Sequence, residues 1–275
     1  MKDNELTREL NSARIQQRAL LAFNYYNAET LKGLLQAASH LNAPVILQLS
    51  RSSLEYLGTE LAIRMGRAGL SQFHVKGWIH LDHGDSPELV QQCLDAGFDS
   101  VMIDASEKPL RENIQITAEV VRMAEKYRAN VEAELGYIAK PGQRSHMVGF
   151  TEPEEARIFT ENTGVDALAV AIGNKHGFYQ DEPRLKLELL AHIHSLVQVP
   201  LVLHGGSGIP YNELRKAVKE GICKINIATE VKNIFMKTVK YSVTSTNEID
   251  LRKVFPPAID AVKQLVIEKF NNITL

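Results

Sequence analysis

The chain has few of the features that mark secreted, membrane-bound or nucleic-acid-binding proteins. Only two of its 275 residues are cysteines, Cys93 and Cys223, and their wide separation predicts reduced thiols rather than a disulfide framework. The net charge is −2 and no run of like charges occurs, which argues against a nucleic-acid or membrane surface. No apolar run approaches the length of a membrane span, and the charged first residues lack a signal-peptide core. We therefore expect a cytoplasmic protein.

Short apolar runs alternate with amphipathic helical stretches along the whole chain, and no linker divides it. Eight such pairs within about 250 residues are typical of a (β/α)8 TIM barrel, an α/β fold, and we expect one domain over residues 1–275. An N-terminal helix within residues 1–18 and a helical tail from Pro256 to about Lys269 flank it. Residues 139–150 are the least regular and predict a mobile loop after the fifth strand. The predicted strands are 20–23, 45–49, 78–81, 100–103, 130–134, 167–171, 201–203 and 224–227; the helices are 28–41, 59–68, 87–96, 110–127, 153–162, 186–197, 211–219 and 229–241.

Every predicted strand ends in polar residues. Barrels of this class carry their chemistry at the carboxyl ends of the strands, so a shared rim of polar groups predicts a site there. The strand ends carry, in chain order, Asn24; Gln48, Ser50 and Arg51; Asp82 and His83; Asp104; Glu132 and Glu134; Asn174 to Gly177; His204 to Gly208; and Asn226 to Thr229.

The third strand ends abruptly in a carboxylate and an imidazole. Asp82 and His83 would point to opposite sides of an ideal strand, but at a frayed end both can turn into one pocket. His80 lies two residues before Asp82 on the same face, as a partner of the site or as a packed core imidazole.

Three histidines, His83, His176 and His204, each follow a different strand. Three imidazoles with an open fourth position are the ligands of a catalytic zinc ion, so these residues are candidate metal ligands. We expect the remaining histidines in helices and connections, His40, His74, His192 and His194, to be structural.

Two glycine-rich or polar turns follow the seventh and eighth strands. Gly205, Gly206 and Ser207 expose backbone N–H groups, and the segment from Asn226 leads into a helix N-terminus. The loops after these two strands are the usual phosphate site of such barrels, so a phosphorylated ligand is expected.

Taken together, these motifs resemble the class II, metal-dependent ketose-bisphosphate aldolases of the fructose- and tagatose-bisphosphate type. The resemblance covers nearly the whole chain and rests on seven segments: 22–30, 80–84, 100–106, 131–136, 169–177, 201–208 and 221–230.

The resemblance implies a role for each matching residue. Asp82 would move the proton of the C4 hydroxyl, and one Zn²⁺ per subunit would bind His83, His176 and His204. Asp104 and Glu134 match a neighbouring, alternative metal site. Family members also carry a monovalent cation, Na⁺ or K⁺, near the phosphate. Dihydroxyacetone phosphate would bind the residues that match Gly177, Gly205, Gly206, Ser207, Asn226, Ile227, Ala228 and Thr229.

The chain departs from the family pattern at three places. The family usually has an acidic residue for the second proton transfer in the loop after the fifth strand, but here no acid precedes Glu152. Either His146 or a water takes this role, or the alignment misplaces the acid. Arg51, beside Ser50, is a candidate for binding an anionic C6 group. Arg252 resembles an arginine that reaches the neighbouring subunit's substrate, although Leu251 replaces the usual proline. We therefore expect a homodimer or homotetramer.

The expected reaction is zinc-dependent cleavage of a ketose 1-phosphate to dihydroxyacetone phosphate and a three-carbon aldehyde. Ala228 stands where fructose-type members of the family often carry Asp or Asn, so the resemblance favours tagatose 1,6-bisphosphate, with fructose 1,6-bisphosphate next. The added cation Arg51 and the altered loop keep 6-deoxy-6-sulfofructose 1-phosphate, which would give sulfolactaldehyde, as an alternative. A zinc hydrolase or a non-catalytic subunit of an aldolase complex are further alternatives. A Schiff base on Lys224 is rejected, because it would leave three histidines unexplained.

Overall fold

Eight parallel strands form a closed barrel in the computed structural model, which describes residues 4–138, 149–179 and 183–273. Each strand pairs with the next, and the last pairs with the first through Leu20 opposite Lys224. The (β/α)8 prediction is therefore confirmed. Most of the loop predicted at 139–150, including Lys140, Arg144 and His146, lies outside the described residues. The strands are β1 Leu20–Asn24, β2 Val45–Ser50, β3 Gly77–Gly84, β4 Ser100–Ile103, β5 Asn130–Leu135, β6 Ala167–Val170, β7 Leu201–Leu203 and β8 Ile222–Ile227.

The helices follow the predicted pattern with two additions, the short helices Arg51–Leu57 and Leu251–Val254, which the sequence pattern did not predict. Ser50 caps the first of these by accepting a hydrogen bond from the Ser53 N–H. Among the residues described, no helix is both long and apolar enough to cross a bilayer. The helices are α1 Glu5–Ile15, α2 Ala28–Leu41, α3 Arg51–Leu57, α4 Thr59–Gln72, α5 Pro87–Asp95, α6 Leu110–Glu125, α7 Pro153–Thr163, α8 Leu187–Leu196, α9 Tyr211–Lys219, α10 Thr229–Ser245, α11 Leu251–Val254 and α12 Pro256–Ile273.

Helix α1 closes the N-terminal end of the barrel, as the sequence predicts. Its Leu6 and Leu10 are buried in a cluster with Leu20, Ile46 and Trp78, which point into the barrel interior. The intervening residues of the strands, such as Leu21 and Phe23, face outwards and join the larger core between the strands and the surrounding helices. The bottom of the barrel is therefore apolar and closed, and the polar groups are left to the opposite rim.

The C-terminal helix α12 packs against α2 and α10 rather than extending away from the barrel. A Cβ atom on Gly33 of α2 would lie 2.8 Å from the carbonyl oxygen of Ile259 and 2.8 Å from Val262, so a larger residue would push the helices apart. The predicted tail ends near Lys269, whereas α12 continues to Ile273. Helix α12 is thus part of the helical layer, next to the helix that follows β8.

Candidate active site

A local irregularity at the end of β3 turns two consecutive side chains towards the same pocket. The sequence pattern predicts that the third strand frays after Leu81. Instead, β3 continues to Gly84, and its register against β4 shifts between Leu81 and Gly84. Within this bulge His83 has a left-handed backbone, with φ of 54°. Backbone strain of this kind is concentrated at functional sites. Asp82 and His83 can therefore both face the rim.

Asp82 is buried and held by side-chain amides. The Asn24 amide donates to its Oδ2 at 2.9 Å, while the amides of Asn226 and Gln48 donate to Oδ1 at 3.3 and 3.4 Å. Burial alone would raise the pKa of Asp82, but the neighbouring His83 and His204 and the Asn24 hydrogen bond outweigh it and lower the pKa to about 2. Asp82 is therefore a carboxylate at neutral pH, able to accept a proton from a substrate hydroxyl.

The three histidines predicted as metal ligands converge beside Asp82. The ring centroid of His83 lies 4.8 Å from that of His176 and 4.7 Å from that of His204, and the centroids of His176 and His204 are 5.8 Å apart. One ring nitrogen of each lies within 4.8 Å of the others. Asp104 and Glu134 form a second such group with His83, so the two residues that match the alternative metal site lie next to the three histidines.

Carboxylates hold the far side of two of these rings. Asp104 Oδ2 is 2.7 Å from His83 Nδ1, and Glu132 Oε1 is 2.8 Å from His204 Nε2. Within the described part of the chain, the buried His83 Nε2 and His204 Nδ1 have no hydrogen-bond partner, although Glu134 Oε2 approaches the latter to 3.2 Å. Metal-binding histidines commonly have one nitrogen on a carboxylate and the other on the ion. The donor set therefore fits a zinc ion.

The protonation of His204 reflects this crowded acidic environment. Burial alone would lower the pKa of His204, but Glu132 and Glu134 outweigh it and raise the pKa to about 9. A cation at Nδ1 would take the place of the proton that this environment favours.

Below the histidines, a buried ion pair crosses the barrel interior. Lys224 on β8 donates to Glu132 Oε2 on β5 at 2.8 Å, and each side chain is 1% exposed. Nε2 of His80 lies 3.5 Å from the same ammonium group, and its Nδ1 is 2.8 Å from Ser100 Oγ. Burial and the Lys224 charge lower the pKa of His80 to about 3, so this imidazole is neutral. Lys224 is therefore inside the barrel, where it holds the carboxylate that orients His204.

The turn after β7 requires glycine. Gly205 has φ of +65°, and a Cβ atom there would lie 2.1 Å from the carbonyl oxygen of Lys175 in the turn after β6. The Asn174 amide donates to the His204 carbonyl at 3.0 Å, and the Tyr179 hydroxyl donates to the Gly205 carbonyl at 3.1 Å. The turns after β6 and β7 are thus fixed to each other around the predicted phosphate residues.

Helix α10 begins at the rim without a side-chain cap. Its N-cap residue, Ala228, offers no hydrogen-bond acceptor, and Ser207 Oγ accepts from the Glu230 N–H at 3.3 Å. Backbone N–H groups at a helix N-terminus attract anions. The turn at Gly205–Ser207 and the start of α10 therefore meet at the place where the sequence predicts a phosphate.

The arginines predicted to bind a C6 group each pair with acidic side chains. Arg51 binds Glu55 at 2.8 Å and also pairs with Asp85, and it is half exposed. Ser50 Oγ is occupied at the start of α3, within 3.1 Å of Ser52 and Ser53. The side chain of Arg252 is 89% exposed and pairs with Asp250 at 3.0 Å. Ser50 is in register with Asp82 of β3, so it lies at the rim. The role of Ser50, Arg51 and Arg252 at the C6 group stays a prediction.

Tyr26 lies near enough to Asp82 to feel its charge but was not among the predicted residues. It follows Asn24 by two positions, and the Asp82 charge acts on it: burial, and then Asp82, raise its pKa. The Lys232 ammonium of α10 lies 5.4 Å from the centroid of its ring. The spacing of two from Asn24 at a strand end was the signal that could have identified it.

Comparison with known proteins decides what kind of protein this site belongs to. The family model described as fructose-bisphosphate aldolase class-II matches residues 4–274. The chain belongs to the class II fructose-bisphosphate aldolase family. This aldolase is 39% identical over 268 residues to a fructose-bisphosphate aldolase of Geobacillus stearothermophilus, a match that covers 94% of this chain and 93% of the relative.

Solved structures agree with this assignment. The YdjI aldolase from Escherichia coli K12 is 33% identical, with a TM-score of 0.87 over 98% of this chain and 96% of that one. A putative fructose-1,6-biphosphate aldolase from Coccidioides immitis is 28% identical, with a TM-score of 0.90 over 99% and 97% of the two chains. The protein is therefore an aldolase and a lyase, and the hydrolase and non-catalytic alternatives are not supported.

Proposed function

We propose that this aldolase is zinc-dependent and cleaves a ketose 1,6-bisphosphate to dihydroxyacetone phosphate and a phosphorylated three-carbon aldehyde. The observation that carries the proposal is the convergence of one nitrogen each from His83, His176 and His204 within 4.8 Å, beside the buried carboxylate of Asp82. Three protein ligands leave a position open, as in catalytic zinc sites.

His83, His176 and His204 would hold the ion. When bound, zinc would supply Lewis-acid polarisation of the ketose carbonyl. Asp104 and Glu132 support this arrangement, because their contacts fix the orientation of two of the three rings. Asp104 and Glu134, with His83, remain candidates for an alternative position of the ion.

Asp82 would accept the proton of the C4 hydroxyl as the C3–C4 bond breaks. Its low pKa keeps it ionised, and the amides of Asn24, Gln48 and Asn226 hold its oxygens in place. Proton transfer by a positioned side chain typically contributes 10² to 10⁴-fold, as an order of magnitude. The second proton transfer stays assigned to His146 or a water, and His146 lies outside the described residues.

The phosphate group of dihydroxyacetone phosphate would bind between the turn after β7 and the start of α10. Gly205, Gly206 and Ser207 supply the first part, and the uncapped N-terminus at Ala228 and Thr229 supplies the second. The family resemblance also implies Na⁺ or K⁺ near this phosphate. A zinc hydrolase acting on an uncharged substrate would have no use for this arrangement.

The substrate would be tagatose 1,6-bisphosphate or fructose 1,6-bisphosphate. The Geobacillus relative is named a fructose-bisphosphate aldolase, whereas Ala228 favours the tagatose type. The sulfofructose alternative depends on Arg51 and on the altered loop. Arg51 pairs with Glu55 and Asp85, and most of the loop lies outside the described residues, so sulfofructose 1-phosphate stays the alternative substrate. Tyr26, whose pKa the Asp82 charge raises, and Lys232, whose ammonium lies 5.4 Å from the Tyr26 ring, are further candidates for contacts with the far end of the sugar.

A homodimer or homotetramer is part of the same proposal. Large apolar side chains are exposed on the last turns of α10 and the segment after it, with Ile249 90% and Leu251 62% exposed beside Arg252. Exposed apolar groups of this kind commonly mark contacts between subunits. Sedimentation velocity would test this point, since a monomer at micromolar concentration would contradict it.

A coupled assay for dihydroxyacetone phosphate tests the reaction. Each of the three ketose phosphates is supplied to the purified protein with and without a chelator, and metal content is measured in parallel. We expect turnover of a bisphosphate that the chelator abolishes and Zn²⁺ restores. His204→Ala should lose both activity and metal, whereas His192→Ala, an exposed histidine of α8, should retain both. Full activity of the metal-free protein would contradict the zinc mechanism.

A further inference from the structure

A buried lysine near the end of the chain contacts the helix at the proposed phosphate site. Lys269 of α12 has a side chain that is 3% exposed, and its ammonium lies 2.7 Å from Glu230 Oε2, whose side chain is 20% exposed. Lysine is rarely buried to this extent unless it is paired, and a lone lysine would lose hydration without compensation. The position of Lys269 therefore depends on Glu230.

Glu230 lies within the first turn of α10, next to the residues proposed to bind phosphate. Its backbone N–H donates to Ser207 Oγ at 3.3 Å, which joins the turn after β7 to the start of α10. Its carboxylate is the acidic group in the first turn of this helix. Such a carboxylate stabilises a helix, but it also places a negative charge close to an incoming phosphate dianion.

Lys269 also contacts the helix that follows the turn after β7. Its ammonium lies 4.9 Å from the ring centroid of Tyr211, the first residue of α9, and the Tyr211 hydroxyl donates to Glu268 Oε1 at 2.9 Å. Neighbouring residues of α12 thus contact the helices after both phosphate turns. The ammonium is held by these surroundings and stays beside Glu230.

We propose that Lys269 is a positioning residue for phosphate binding: its buried charge neutralises Glu230, so that the N-terminus of α10 attracts the phosphate of the substrate. The inference rests on the proposed function, because it assumes that this end of the barrel binds a phosphate. Buried charges are weakly screened, so loss of the ammonium leaves the Glu230 carboxylate to repel the dianion. Lys269 does not touch the substrate, and its effect falls on binding rather than on the chemical step.

The test compares three variants of the zinc-loaded, full-length protein. Calorimetry measures the Kd of inorganic phosphate and of dihydroxyacetone phosphate, and the coupled assay measures KM and kcat. Lys269→Met should raise the phosphate Kd and the KM roughly tenfold and leave kcat within about twofold. Glu230→Gln should tighten phosphate binding, since the Lys269 charge is then uncompensated. The double variant, Lys269→Met with Glu230→Gln, should return the phosphate Kd to near the wild-type value.

A structural role alone predicts a different pattern. If the ion pair only stabilised the fold, both single variants would weaken phosphate binding and the unfolding temperature would fall in parallel. Lys263→Met, at a half-buried position of the same helix, controls for the loss of one positive charge from α12 and should leave the phosphate Kd unchanged.

The outcomes separate this inference from the proposed function. Wild-type protein that binds neither phosphate nor dihydroxyacetone phosphate overturns the proposed function. Wild-type binding with the same Kd in Lys269→Met overturns the role of Lys269 alone. If Lys269→Met does not fold, Glu230→Gln decides, because weaker phosphate binding in that variant contradicts the proposal.

Discussion

At the scale of single residues, Asp82 combines burial with a lasting negative charge. Its two oxygens receive amide hydrogen bonds from three different strands, β1, β2 and β8. The amide donors stabilise the ionised form of this carboxylate, although they carry no charge of their own. The geometry thus suits a proton acceptor whose position is fixed before substrate arrives.

Replacing this carboxylate by its amide should abolish proton transfer with little change in shape. We expect Asp82→Asn to lower kcat by roughly 10² to 10⁴-fold while zinc content, measured by atomic absorption, stays near one ion per chain. Asp95→Asn, an exposed aspartate on α5, is the matched control and should keep the wild-type kcat. Retention of kcat within about twofold in Asp82→Asn would remove Asp82 from the chemistry.

The two cysteines should be inert in the folded protein. Burial raises the pKa of Cys93 to about 12 and that of Cys223 to about 11, so at pH 8 both are thiols rather than nucleophilic thiolates. We expect a disulfide reagent such as DTNB to label no thiol rapidly in native protein and both thiols in denaturant. Rapid labelling of one native thiol would show that its environment opens in solution.

At the scale of elements, the non-adjacent strands β5 and β8 are joined through the barrel interior by Glu132 and Lys224. Burial alone would raise the pKa of Glu132, but Lys224 and His204 outweigh it and lower the pKa. The pair supports one ring nitrogen of His204, so a contact between strands is coupled to the orientation of a proposed metal ligand.

Breaking this pair from one side should destabilise the barrel. Lys224→Met leaves the Glu132 carboxylate buried without its partner, and we expect a loss of about 3–5 kcal/mol in the free energy of unfolding. Urea denaturation measures it, with Lys126→Met, at an exposed position after α6, as the control. Lys224→Met combined with Glu132→Gln should recover part of the loss. A loss below about 1 kcal/mol in the single variant would contradict this account.

The sequence predicts the order of the strands and the residues at their ends, because a parallel barrel brings all carboxyl ends to one rim. It does not predict the individual hydrogen bonds and ion pairs between side chains that are distant along the chain. The ion pair between Arg51 and Asp85 is one such contact, because the two residues lie 34 positions apart, beyond the reach of local patterns. The bulge that turns His83 is also invisible in composition, since an ordinary strand has the same residue types.

At the scale of the whole molecule, the barrel closes through its first and last strands, and α12 packs on α2 near the start of the chain. We propose on this basis that residues 1–275 form one cooperative domain. Calorimetry of the zinc-loaded protein should give a single unfolding transition, with equal calorimetric and van't Hoff enthalpies per cooperative unit. Two resolved transitions would indicate separate folding units. The same measurement on metal-free protein should show a lower midpoint, because zinc binds only the folded state.

The contact between Lys269 and Glu230 also has a consequence for protein synthesis. Lys269 follows Glu230 along the chain, so during synthesis β8 and the start of α10 leave the ribosome before Lys269 does. On the proposal above, the phosphate end of the site receives its compensating charge only once α12 has emerged. Chains stalled with β8 and α10 exposed and Lys269 still inside the ribosome should bind dihydroxyacetone phosphate more weakly than chains in which α12 has emerged. In this aldolase, α12 would complete a site whose first residue, Asn24, is synthesised long before it.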